Sequence, residues 1–204
     1  EAVLTVVENY PPQVLALLMN HIGTHDTERA LTMLGGEPLN GRDREWQAHR
    51  ILSPGERARG IALLRLSAIL QYTLPGVPCL YYGDEAGMEG YRDPFNRGCY
   101  PWGQEDSSLI GWYRSLGRMR RSQDVLKNGR FVPQKGPDGT LCFARQDASG
   151  VLLTAVNRTE TPCTFPLAAA YCHLVPLAGD GIVEDGRLTL PALGGAVLGY
   201  PQQP

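Results

Sequence analysis

The stretch 13-QVLALLMNHIGTHDTERAL-31 decides how the chain is read. Its first ten residues, QVLALLMNHI, read as one mainly apolar run without alternation that stops at Gly23. A run of that kind predicts a strand buried on both faces, as in a parallel sheet. Directly after it come His25 and Asp26, and Arg29 follows one helical turn later. Two readings compete for Asp26. Aspartate is a favoured helix N-cap, and a helix beginning at Thr27 would use it so. Alternatively, the His–Asp pair ends a buried strand, where the active sites of barrels are built. In that case Arg29 orients a carboxylate or binds substrate.

Outward from this stretch the pattern repeats. "SPGERARGIALLRLSAILQY" (53–72) opens with Ser53, Pro54 and Glu56. That is a capping box with proline at the first helical position. Ile61, Leu64, Ala68 and Tyr72 then form an apolar stripe, widened by Leu63, Leu66 and Leu70. "GVPCLYYG" (76–83) predicts a second short buried strand. "DSSLIGWYRSLGRMRR" (106–121) predicts a second helix with Leu109, Trp112, Tyr113, Leu116 and Met119 on one face. Strand, helix, strand, helix is the rhythm of an α/β layer or barrel. From about residue 129 the texture changes. "GRFVPQ", "TLCFARQ", "GVLLTAVNR", "CTFPL", "YCHLVPL", "GRLTLPA" and "GAVLGYP" read as strands. Turn triplets at 137–139, 148–150 and 179–181 separate them, which predicts an antiparallel β-sandwich.

Bulk properties narrow the classes of function. In 204 residues, 43% are hydrophobic, enough to bury a core, and the net charge is −2. So balanced a charge supports neither a nucleic-acid nor an anionic-membrane surface. No run is long enough to span a bilayer. The N-terminus has no signal-peptide pattern and looks like a chain entered partway through. Five cysteines, an odd number without metal-ligand spacing, predict reduced and mostly buried thiols in a reducing compartment, the cytoplasm.

Two further motifs carry chemistry. "PGVPCLYYGDEAGMEG" (75–90) gathers adjacent tyrosines and acids at a strand end. Sugars bind to such mixtures, because rings stack on C–H faces and carboxylates accept from hydroxyls. In "DPFNRGCYPW" (93–102), Asp93 and Arg97 are four apart in a proline-containing loop. They form either an inconsequential surface ion pair or a joint hold on sugar hydroxyls.

Taken together, "GTHDTER", "PGVPCLYYGDEAGMEG" and "DPFNRGCYPW" resemble glycoside hydrolase family 13, the α-amylase family, in order and spacing. Thr-Glu-Arg after His-Asp, and Gly-Met-Glu-Gly after Gly-Asp-Glu, are most similar to its neopullulanase and cyclomaltodextrinase group. The resemblance covers residues 10 to 105; the second half fits by position and texture. It implies an α/β plus all-β chain. Residues 1–124 would form the last two strand–helix units of a (β/α)8 barrel, and residues 125–204 a C-terminal β-sandwich. It implies that Asp26 is the third catalytic carboxylate, with His25 bonding the same sugar. Asp93 and Arg97 would contact the next sugar, at −2, and Arg29 stands nearby as a substrate-binding candidate. Many members place Asn before His-Asp; here it is Thr24, a small hydroxyl residue as in the neopullulanase group. The family's nucleophile and general acid lie on earlier strands, and neither motif is found here. The chain then reads as a C-terminal fragment of a cofactor-free α-glucan hydrolase, itself inactive and prone to self-association. One rival is a catalytically dead amylase-like protein with a sugar-binding or assembly role. Another, a stand-alone carbohydrate-binding sandwich, leaves the first half unexplained.

Overall fold

The computed structural model describes residues 2–200. In chain order the elements are α1 (Ala2–Asn9), α2 (Pro12–Leu15), β1 (Met19–His21), α3 (Ala30–Gly35), α4 (Arg44–His49), α5 (Pro54–Thr73) and β2 (Val77–Cys79). Then follow α6 (Ser107–Ser122), α7 (Val125–Asn128), β3 (Arg130–Gln134), β4 (Thr140–Asp147), β5 (Gly150–Asn157) and β6 (Cys163–Pro166). The chain ends with β7 (Val175–Gly179), β8 (Ile182–Glu184), β9 (Arg187–Leu190) and β10 (Gly195–Gly199). They fall into two compact units. One holds residues 2–20, 69–78 and 115–200; the other holds His21–Ala68 and Cys79–Arg114. No helix among the described residues is long and apolar enough to cross a membrane.

The unit built mainly from the second half has two antiparallel sheets. One runs in the order β3-β4-β5-β10-β7, the other β6-β9-β8. β4 and β5 form a full hairpin from Thr140↔Asn157 to Asp147↔Gly150. Its turn is held by Asp147, whose Oδ1 accepts from the Ser149 N–H and hydroxyl at 2.7 and 2.5 Å. Alternate residues face inward, so Ala144, Leu153, Ala155, Ala196 and Leu198 from the larger sheet meet Phe165, Leu188 and Leu190 from the smaller in one core. All seven expected strands are present, although "YCHLVPL" begins as a 3-10 turn at Ala169–Tyr171 and becomes strand only at Val175. β8 escaped sequence reading because three residues are too few to show alternation. Pro201, the last residue of the expected terminal strand, lies outside the described residues.

The helices follow their local signals. At α5 the Glu56 carboxylate accepts from the Ser53 N–H at 2.7 Å, and the Ser53 hydroxyl faces the Glu56 N–H at 3.4 Å. Arg50 grips the same carboxylate with Nη2 at 2.6 and 2.8 Å. That guanidinium, with the Ser53 bonds behind it, holds Glu56 down to about 2. At α6 the Asp106 carboxylate accepts from the Ser108 and Leu109 N–H groups at 3.1 and 3.2 Å. Leu109, Trp112, Tyr113, Leu116 and Met119 are all buried.

The two apolar runs depart from expectation. "QVLALLMNHI" is not one buried strand. Pro11-Pro12 starts a helical turn, α2, since proline is preorganised for the first helical position. Only Met19–His21 is strand, and it pairs with β2 alone. Leu17 and Met19 are 77% and 62% exposed, and Val77 is also exposed. A two-stranded ribbon cannot cover both of its own faces, so the residues that read as doubly buried face outward. The described residues contain no closed barrel. The thiols differ too: only Cys142 is buried, with Cys99 and Cys172 exposed. Burial pushes Cys142 up to about 12.

Candidate active site

Both readings of Asp26 can be tested by where the helix starts. α3 begins at Ala30, with Arg29 at the cap position and no side-chain cap. Asp26 therefore caps nothing. It lies in a turn knitted by threonines: the Asp26 N–H donates to Thr24 Oγ1 at 3.2 Å, and the Thr24 N–H to Thr27 Oγ1 at 3.1 Å. The turn projects the carboxylate outward, and its side chain is 74% exposed. Gly23 sets its base: an added Cβ there would sit 2.5 Å from Asp84 Oδ2.

Around Asp26 stand the other residues of the motifs. His25 Nε2 is 3.2 Å from Asp26 Oδ1. Arg97 Nη2 lies 4.0 Å from the same oxygen. Arg97 Nε reaches Asp93 Oδ1 at 3.1 Å and donates to the His25 carbonyl at 3.2 Å. His25, Asp26, Asp93 and Arg97, 72 residues apart at the extremes, thus line one shallow cleft of about 390 Å³. Leu39, Arg44, Gln47 and Arg92 complete its wall. Leu39, Arg44 and Gln47 come from the 39–47 segment and Arg92 directly precedes Asp93; no local motif marks them. Carboxylates, an imidazole and guanidinium groups facing water in a concave site can accept from and donate to several hydroxyls at once, which is the equipment for holding a sugar.

Arg29 is placed elsewhere. Its side chain is fully buried, as is that of Asp84, and Nη1 stands 3.6 Å from Asp84 Oδ1. The same nitrogen donates to the Tyr82 carbonyl. The guanidinium lies over the rings of Tyr81 and Tyr82, 4.4 and 4.5 Å from their centroids. Arg29 does orient a carboxylate, but that of Asp84, and it presents no surface to the cleft. Burial pushes Asp84 up to about 6 despite the neighbouring cation. Asn96, inside the third motif, is also fully buried. Neither Asp84 nor Asn96 stands out in sequence, because nothing local distinguishes a buried polar side chain from an exposed one.

No protein-family model matches the chain. Relatives are nevertheless clear. An amylopullulanase from Thermoanaerobacter thermohydrosulfuricus is 35% identical over 195 residues, 96% of this chain and 13% of that protein. A cyclomaltodextrinase from a Bacillus species is 26% identical over 174 residues, 83% of this chain and 27% of that one. The crystal structure of a debranching enzyme from Nostoc punctiforme superposes with a TM-score of 0.77 at 28% identity, covering 97% of this chain and 38% of that one. The matched relatives are enzymes of one class, amylopullulanases, cyclomaltodextrinases and debranching enzymes. Within it, the chain belongs to glycoside hydrolase family 13, the α-amylase family, beside amylopullulanases and cyclomaltodextrinases. It spans well under half the length of each relative.

Proposed function

We propose that this chain is the C-terminal part of a longer, retaining α-glucan hydrolase acting on α-1,4 and α-1,6 linkages. Residues 1–124 supply the last strand–helix units of its (β/α)8 barrel, and residues 125–204 its C-terminal β-sandwich. The observation that carries the proposal is Asp26: it caps no helix, and stands exposed in a cleft with His25 and Arg97. The retaining route breaks the glycosidic bond through an oxocarbenium-like transition state, with a nucleophilic carboxylate and a carboxylic acid about 5–5.5 Å apart. In the proposed enzyme those two groups belong to earlier strands. Asp26 binds hydroxyls of the sugar at the broken bond and favours its distortion, while His25 bonds the same sugar. Asp93 and Arg97 hold the next sugar. No cofactor takes part. The odd number of cysteines favours a reducing compartment, the cytoplasm.

Two tests follow. In the longer enzyme, Asp93→Ala and Arg97→Ala are expected mainly to raise KM, with a smaller loss of kcat, because they act one sugar away from the bond broken. Steady-state kinetics on maltooligosaccharides reads this; unchanged constants for both variants overturn the −2 assignment. The chain by itself is expected to hydrolyse no glucan, since a stabilising aspartate cannot replace a nucleophile and an acid. It is also expected to self-associate through exposed Leu17, Met19 and Val77. A reducing-sugar assay with static light scattering checks both. Asp26-dependent hydrolysis by the chain alone would show that the two missing carboxylates are here after all. A monodisperse monomer would remove the self-association.

A further inference from the structure

Asn96 sits at the centre of the 3-10 turn Phe95–Arg97, with its side chain fully buried. Buried amides are hydrogen-bonded in folded proteins, so where this one spends its bonds is informative. Its Nδ2 donates to the His25 carbonyl at 2.8 Å and to the Thr27 carbonyl at 2.6 Å. These are the two residues on either side of Asp26. Two carbonyl acceptors fix the amide's orientation, because only the nitrogen end can donate to both. The Oδ1 has no partner among the described residues, so the whole of this side chain's bonding is directed at the Asp26 turn.

The loop that carries Asn96 is itself pinned. The Arg97 N–H donates to the Pro94 carbonyl at 3.0 Å, and that of Phe95 to Arg92 at 2.9 Å. Gly90 packs flat against it: an added Cβ would collide with the Phe95 carbonyl and lie 3.2 Å from Asn96 Cα. Gly90 in turn accepts from the Arg29 N–H at 2.9 Å, at the start of α3. Both ends of the His25–Thr27 turn are therefore tied to this loop through Asn96, and the chain just beyond the turn is tied to Gly90 through the Arg29 N–H.

We propose that Asn96 is a positioning residue for Asp26 and His25: its amide grips the backbone on both sides of the aspartate and holds the carboxylate at the sugar whose bond is broken. This rests on the catalytic role given to Asp26 above. A misplacement of about 1 Å in such a group costs about a hundredfold in rate. A side chain with no surface of its own can thus control kcat without touching substrate.

The test is a double-mutant cycle in the longer enzyme, with maltotriose as substrate and thermal melting as the folding control. Asn96→Ala is expected to lower kcat by about a hundredfold. KM should change by less than about threefold, since the buried Asn96 side chain makes no −2 contact of its own. In an Asp26→Asn background the same substitution is expected to lower kcat by less than about a further threefold, because the charge it chiefly positions has gone. A purely structural effect would repeat in full in both backgrounds, and that overturns the proposal, as does an unchanged kcat for folded Asn96→Ala. Should Asn96→Ala melt below assay temperature, Asn96→Ser, which keeps one donor, is expected to show an intermediate kcat loss with the same dependence on Asp26; loss independent of Asp26 overturns the proposal. The two layers separate cleanly. An Asp26→Asn enzyme with wild-type kcat removes the catalytic reading and the clamp with it. A dead Asp26→Asn enzyme with a fully active Asn96→Ala removes the clamp alone.

Discussion

Asp26→Asn in the longer enzyme is expected to lower kcat by about a thousandfold or more while leaving the fold intact. The change keeps shape and removes charge. Structurally little depends on that charge: Asp26 caps no helix, and its neighbours His25 and Arg97 are themselves exposed, at 3.2 and 4.0 Å. Exposed pairs of this kind contribute about 0–1 kcal/mol. Thermal melting should therefore move little. Catalytically the charge is needed where positive charge develops on the sugar ring, and binding energy that appears only in the transition state acts on kcat. Turnover of maltooligosaccharides with the substitution in place reads the effect directly. Near-wild-type kcat would mean that Asp26 holds sugar in the ground state and nothing more.

The second large effect falls on stability. Arg29→Met is expected to destabilise the fold by about 3–5 kcal/mol, the usual result of leaving one member of a buried ion pair alone. Asp84 would then have no cation, in a site where burial already holds it up to about 6 with Arg29 present. The pH dependence has a definite sign. A carboxylate whose folded value is raised binds more protons folded than unfolded, between its ordinary value and the raised one. Its contribution is therefore most favourable below the ordinary carboxylate value, and is lost as pH rises through about 6. Without Arg29 the folded value moves further up, so the window of loss extends to higher pH. Urea melts at pH 5 and pH 8 should show the Arg29→Met deficit larger at pH 8. A deficit independent of pH would mean that the substitution acts through lost packing on Tyr81 and Tyr82 instead. The result also separates Arg29 from the cleft residues: Asp93 and Arg97 variants should melt close to wild type.

The signals that the sequence expressed most fully are local ones. Ser53, Pro54 and Glu56 announce the start of α5 because capping needs only residues three apart. The face of α6 is read from a period of 3.6, and the hairpin of β4 and β5 from alternation broken at a two-residue turn. His25 and Asp26 were legible because a polar pair after an apolar run is conspicuous in one dimension, whereas Asp93 and Arg97, four apart in a proline-containing loop, took their place from the family resemblance.

What only the tertiary structure decided depends on partners far along the chain. Whether Asp26 caps a helix turned on where α3 begins, and the threonine turn moved that start to Ala30. Arg29 looked like a cleft residue by spacing, yet Asp84 and the tyrosine pair, more than fifty residues on, hold it inside. Asn96 acquires its part only by reaching back 71 and 69 residues to the carbonyls of His25 and Thr27. The apolar run before Gly23 promised a doubly covered strand, but apolarity states a demand for cover and not its supply; Leu17 and Met19 are left facing water. Local sequence thus sets helix starts, strand periods and which residues can do chemistry. Burial, by contrast, is a property of what lies opposite, and only the folded chain determines that.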